Sequence, residues 1–125
     1  MIGSADNYIG LGIDCEIILT ESAAVEIADL ILDPLEKALL LDQQLEYGLM
    51  LTLVFSAKES LFKALSPSLS NVISFHDLSI CSISESKLVL RPTTRLNGNW
   101  FGESAFSIDY IKQSKYVVTM AAITA

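Results

Sequence analysis

The sequence predicts a single α+β domain across residues 1–125, built as one strand, three helices and then several antiparallel strands. Three observations carry that expectation. From Tyr8 to Ile18 apolar residues alternate with small or acidic ones, from about Thr20 to Leu65 they recur at helical spacing, and from about Asp77 onward alternation returns between turn-forming residues. A length of 125 residues suits one hydrophobic core, and no internal repeat, linker or low-complexity stretch is visible.

The first strand carries Ile9, Leu11, Ile13, Cys15 and Ile17 on one face, and Gly10, Gly12, Asp14 and Glu16 on the other. This is the pattern of a half-buried strand whose opposite face is nearly bare before it becomes acidic. Gly10 and Gly12 leave room for another backbone or a ligand to approach closely. Thr20-Glu21-Ser22 reads as a helix start, and Ala23 to Leu32 is apolar enough to pack. Asp33-Pro34 supplies an N-cap and a first-turn proline, with Glu36 following, so a second helix is expected to run to about Tyr47 and end at Gly48.

The third helix should run from about Leu49 to Leu65, with Met50, Val54, Ala57, Leu61, Ala64 and Leu65 on its apolar stripe and Ser56, Glu59, Ser60 and Lys63 on the open side. Lys58 falls near the edge of that stripe. Ser66-Pro67-Ser68 stops the helix. Asp77 to Ile83 and Lys87 to Arg91 read as strands, and Leu96 to Gly102, around Asn97-Gly98-Asn99, as the clearest loop, which Trp100 closes over the sheet. Phe106, Ile108 and Tyr110 alternate toward a turn at Lys112 to Ser114, and Tyr116, Val118 and Met120 alternate away from it, forming a hairpin.

Composition excludes several classes of function. With 51% hydrophobic and 18% charged residues the chain is not intrinsically disordered. A net charge of −7 repels polyanions, so nucleic acid is an unsuitable partner. Apolar runs are too short to span a bilayer, and no basic n-region precedes an apolar segment. Cys15 and Cys81 lie far apart with no metal-type spacing, which points to a reduced, cytoplasmic setting. The sole histidine, His76, reads as a loop or strand-edge residue.

Residues two apart on a strand point the same way, about 7 Å apart, so Asp14 and Glu16 can aim both carboxylates at one point. Two hard oxygen ligands plus a substrate phosphate would meet the needs of Mg²⁺, although an ordinary solvated strand face has the same spacing. Glu59 and Lys63, four apart on a helix, read either as a surface ion pair or as a general base or metal ligand beside a phosphate-binding cation. Lys58 reads either as a lysine whose stem covers the core edge or as a second phosphate-binding cation.

Gly12-Ile13-Asp14-Cys15-Glu16 and Phe55-Ser56-Ala57-Lys58-Glu59-Ser60-Leu61-Phe62-Lys63-Ala64 together resemble the two signature motifs of the 4′-phosphopantetheinyl transferase superfamily. The wording of the second segment is most similar to the enterobactin synthetase component D branch of the surfactin-type group. That resemblance implies a transferase moving 4′-phosphopantetheine from coenzyme A to a serine of an acyl or peptidyl carrier protein, in siderophore or other nonribosomal peptide synthesis. It implies Asp14, Glu16 and Glu59 as Mg²⁺ ligands, Glu59 and Lys63 as catalytic residues, and Lys58 and Lys63 as contacts for coenzyme A phosphates.

The resemblance covers one lobe of the two-lobe enzymes in that branch. Only eleven residues precede Gly12, no Arg or Lys occurs before Lys37, and His76 lies after the second motif, so the nucleotide-holding residues of a first lobe have no counterpart. Two expectations follow. The chain forms homo-oligomers that build sites between copies, as small holo-acyl-carrier-protein synthases do, or it is an isolated, non-catalytic C-terminal lobe missing its N-terminal half. Arg91, Arg95, Lys112 and Lys115 are candidates for docking an acidic carrier, although scattered surface charge explains them as well.

Overall fold

The computed structural model describes residues 8–43, 45–65, 74–93 and 105–124. Strand β1 (Tyr8–Ile17) is followed by helices α1 (Glu21–Ile31), α2 (Pro34–Leu41) and α3 (Tyr47–Leu65), a 3₁₀ turn at Phe75–Asp77, and strands β2 (Leu78–Ile83), β3 (Lys87–Pro92), β4 (Phe106–Gln113) and β5 (Tyr116–Thr124). The expected α+β order holds. The strands form one antiparallel sheet in the order β1-β5-β4-β3-β2, so the first strand pairs with the last. Helix α3 lies across β1 and β5, and α1 and α2 pack on its other side.

Local chemistry explains the helix starts. Thr20 Oγ1 accepts from the Ala23 amide to cap α1. Asp33 and Glu36 form a reciprocal capping box at α2, with Pro34 in the first turn. Helix α2 ends at Leu41, well short of Tyr47, and α3 takes Tyr47 and Gly48 into its own first turn. Gly48 is therefore inside a helix start rather than a stop. The Glu21 carboxylate accepts from the Gly48 amide at 2.6 Å, satisfying one of the N–H groups that a helix start leaves unpaired.

The burial of β1 is the reverse of the expectation. Gly12 and Asp14 face inward against α3, while Leu11, Ile13 and Ile17 are 60%, 60% and 65% exposed. The reason is the close approach of α3: a Cβ on Gly12 would overlap the carbonyl oxygen of Ser60, and one on Gly10 that of Ala64. Only the bare face of the strand admits a helix at that distance. Strand β5 follows the same rule, burying Val117, Thr119 and Ala121 and exposing Tyr116 and Met120.

The hairpin turn also sits later than expected, at Ser114 and Lys115, with Gln113 paired to Tyr116 and Ser114 at φ 53°. The core lies between the inner sheet face and the helices, drawing on Leu51, Val54, Leu61, Leu78, Leu88, Leu90 and Ile108. Phe75 closes one end by packing on Phe55 and Phe62, with ring centroids 5.4 and 5.3 Å apart. The expected stop at Ser66-Pro67-Ser68, the loop Leu96 to Gly102 with Trp100, and Arg95 lie outside the described residues.

Candidate active site

Four of the five residues singled out by the sequence meet where α3 crosses β1. The cause is the glycine contact: with Ser60 seated on Gly12, the neighbouring helical positions 59 and 63 reach the level of Asp14 and Glu16. Lys63 Nζ lies 3.1 Å from Asp14 Oδ1 and donates to the Ile13 carbonyl at 2.9 Å. This bond ties helix to strand. Asp14 is almost fully buried, and its second oxygen, Oδ2, is buried with no hydrogen-bond partner.

The electrostatics are dominated by crowded negative charge. Glu16 is pushed up to about 7, chiefly by burial, then by the neighbouring Asp14 carboxyl and the charge of Glu59; Lys63 works in the opposite direction. Glu59 is raised for the same reasons, burial first and then Asp14, again opposed by Lys63. Three carboxylates around Lys63 make a site that would gain from a further cation. Among the described residues no three His, Cys, Asp or Glu side chains are gathered into a ready-made metal centre. The donor set and the unsatisfied Asp14 oxygen nevertheless fit a hard divalent cation, which prefers carboxylate oxygens and keeps part of its shell for water or phosphate.

Lys58 is elsewhere, and its expected role as a phosphate contact is corrected. It is fully buried, with Nζ donating to the carbonyls of Ile31 at 2.8 Å and Phe75 at 2.9 Å and lying 3.1 and 3.0 Å from the two oxygens of Glu36. A lysine enclosed by four oxygen atoms has no reach to a solvent-borne diphosphate. Burial lowers its pKa, and the Glu36 charge and hydrogen bond pull it back up. Glu36 is equally buried and also accepts from the Asp33 and Ile80 amides at 2.9 and 2.7 Å.

Glu36, Ser56 and Thr119 escaped the sequence reading. Glu36 shows in sequence only as a first-turn acid of α2, and the helical spacing puts Ser56 on the open side of α3, whereas the structure buries it. His76 lies in the 3₁₀ turn, exposed, with Nε2 3.2 Å from the Asp29 carbonyl oxygen and remote in sequence from the carboxylates. Cys15 and Cys81 are exposed free thiols.

A family model described as the 4′-phosphopantetheinyl transferase superfamily matches residues 10–121, which span both the carboxylate strand and the Glu59–Lys63 helix. The chain belongs to that superfamily. It is 31% identical over 110 residues to enterobactin synthase component D of Escherichia coli O157:H7, a match covering 88% of this chain and 48% of that relative. With the Salmonella typhimurium LT2 protein of the same name the identity is 46% over 56 residues, covering 45% of this chain and 24% of the relative. The chain thus spans about half the length of the E. coli relative.

Solved holo-[acyl-carrier-protein] synthases have the same fold. The Thermotoga maritima holo-[acyl-carrier-protein] synthase superposes with a TM-score of 0.65 at 24% identity, covering 92% of this chain and 62% of that one. A holo-(acyl-carrier-protein) synthase from Bacillus anthracis, solved in complex with CoA (3′,5′-ADP), gives a TM-score of 0.66 at 18% identity, covering 95% and 98%. The Helicobacter pylori synthase, in complex with coenzyme A, gives 0.66 at 19%, covering 92% and 99%.

Proposed function

We propose that this lobe performs Mg²⁺-dependent transfer of 4′-phosphopantetheine from coenzyme A to a serine of an acyl or peptidyl carrier protein, in the cytoplasm and in the service of siderophore or other nonribosomal peptide synthesis. The observation that carries the reading is the meeting of Asp14, Glu16, Glu59 and Lys63 at one contact between α3 and β1. In the transfer, the serine oxygen forms a bond to the β-phosphorus of coenzyme A. The bond from that phosphorus to the bridging oxygen breaks, and 3′,5′-ADP departs with the electron pair.

Asp14, Glu16 and Glu59 would hold Mg²⁺, whose contribution when bound is to neutralise charge on the diphosphate. Glu59, which faces Asp14 and Lys63, would either complete that shell or take the serine proton. Lys63, half exposed at its tip, can exchange its Asp14 contact for a phosphate oxygen.

The outer face of β1 and β5 supports a two-lobe assembly. Ile13 and Met120 are cross-strand partners there and are both exposed, as are Ile17 and Tyr116. Such a contiguous apolar surface is unusual on a monomer. We infer that a second lobe covers it, either another copy of this chain or the other half of a two-lobe enzyme. The competing reading, an isolated non-catalytic lobe, draws on the match to only about half of the E. coli relative.

The test is incubation of the purified chain with coenzyme A, Mg²⁺ and several apo carrier proteins, followed by intact-protein mass spectrometry with an EDTA control. A metal-dependent phosphopantetheine increment on a carrier is expected from the transferase. No increment on any carrier that an established transferase modifies in parallel would favour the inert lobe.

A further inference from the structure

We propose that Thr119 of β5 is a positioning residue for the carboxylate site: with Ser56 it forms a buried polar peg that sets α3, bearing Glu59 and Lys63, in register against the strand bearing Asp14 and Glu16. The inference rests on the reading of that site as the transferase centre. Neither resemblance motif contains Thr119, which lies 63 positions beyond Ser56.

Thr119 is the residue directly opposite Asp14 in the β1–β5 ladder, so both side chains stand on the inward face. It is fully buried. Its hydroxyl donates to the Ser56 carbonyl at 2.9 Å, and the Ser56 hydroxyl lies 2.9 Å from Thr119 Oγ1 and 3.5 Å from the Asp14 carbonyl oxygen. Two short bonds therefore join helix to sheet, and a third, longer contact reaches the backbone of Asp14 itself.

Beside the peg, β1 offers α3 only the bare backbone of Gly10 and Gly12, set against the carbonyls of Ala64 and Ser60. The glycine seats set how closely α3 approaches, and the buried hydroxyl pair adds a directional tie, because hydrogen bonds weaken steeply when misaligned. Glu59 lies three residues beyond Ser56, less than one helical turn away. A slide or rotation of α3 that Ser56 and Thr119 prevent would therefore change the Glu59-to-Asp14 spacing directly.

Thr119→Val keeps the side-chain shape and removes the hydroxyl, Thr119→Ser keeps the hydroxyl, and Ile108→Val on β4 removes one buried methylene as a stability control. Two properties of the whole chain are read while all variants are folded: Mn²⁺ affinity by electron paramagnetic resonance, and the Asp14 carboxyl carbon shift by NMR without metal. Thr119→Val should weaken Mn²⁺ binding roughly tenfold and move the Asp14 signal, Thr119→Ser should stay within about twofold of wild type, and Ile108→Val should change neither. Thr119→Val matching wild type in both measurements, or Ile108→Val losing as much affinity, would overturn the proposal. If the wild-type chain binds no Mn²⁺, the assignment of the three carboxylates as metal ligands fails, and the NMR shift alone decides Thr119: movement in the valine variant restored by serine sustains the peg, and no movement refutes it.

Discussion

Replacing Lys58 with methionine separates a structural lysine from a substrate-binding one. The side chain is wholly buried, and the substitution leaves the equally buried Glu36 carboxylate without its cation and removes the lysine donor from the Ile31 and Phe75 carbonyls. Removing one partner of a buried pair costs about 3–5 kcal/mol, because the remaining charge stays desolvated. Against the roughly 5–15 kcal/mol that stabilises a domain, this lowers the folding equilibrium constant about a hundred- to a few-thousand-fold. The thermal midpoint of a chain this size should fall by about 10–20 °C. Adding Glu36→Gln should recover part of the loss, though not all, since the Asp33 and Ile80 amides bond different carboxylate oxygens and one of these becomes an NH₂ group facing an N–H donor. Urea denaturation followed by circular dichroism, run as a double-mutant cycle, measures the coupling, expected to exceed about 1 kcal/mol. A Lys58→Met protein as stable as wild type but deficient in coenzyme A binding would refute this reasoning and restore the lysine to the phosphate site.

Gly12→Ala forces a methyl group onto the Ser60 carbonyl oxygen, so α3 must retreat; a loss of about 1–3 kcal/mol in urea denaturation and a larger proportional loss of Mn²⁺ affinity are expected. The metal-free chain should lose stability as pH rises from the ordinary glutamate range through about 7, because the folded form of Glu16 binds its proton more tightly than the unfolded form does. That benefit is complete below the unfolded pKa and lost above the folded one; urea midpoints at about pH 5 and about pH 8 check it, and Asp14→Asn should flatten the slope. Lysine at both Ile13 and Met120 places two charges on the outer sheet face, and analytical ultracentrifugation should show an oligomer become a monomer; a wild-type chain already monomeric at high concentration would exclude cover by a second copy.

The order of elements was legible because each is declared locally: the capping box at Asp33 and Glu36, the alternation of β1, the turn before Tyr116. Which face of β1 lies inside was not. Hydropathy alone buries Leu11, Ile13 and Ile17, yet the helix that covers this strand needs backbone-to-backbone contact, and only glycine permits it. Close approach selected the bare face, leaving the apolar one for a partner surface. Gly10 and Gly12 were read as places of close approach, and that part of the inference holds; what the sequence could not supply was that the approaching group is the very helix bearing Glu59.

Adjacent residues 58 and 59 show why only part of the site could be read. They differ by about 100° around α3, and a helical wheel assumes one buried side and one wet side. Helix α3 has the sheet on one side and α1 and α2 on the other, so the wheel has two buried sectors and a narrow open edge. Glu59 falls at that edge beside Asp14, where its charge is useful, while Lys58 turns toward the start of α2, where Glu36 waits. Nothing in the spacing of the segment distinguishes these fates, because the oxygens that claim Lys58 come from Ile31, Glu36 and Phe75, which only the fold brings together. One residue of the pair thus fixes the helix from behind so that the other can present a carboxylate at its front.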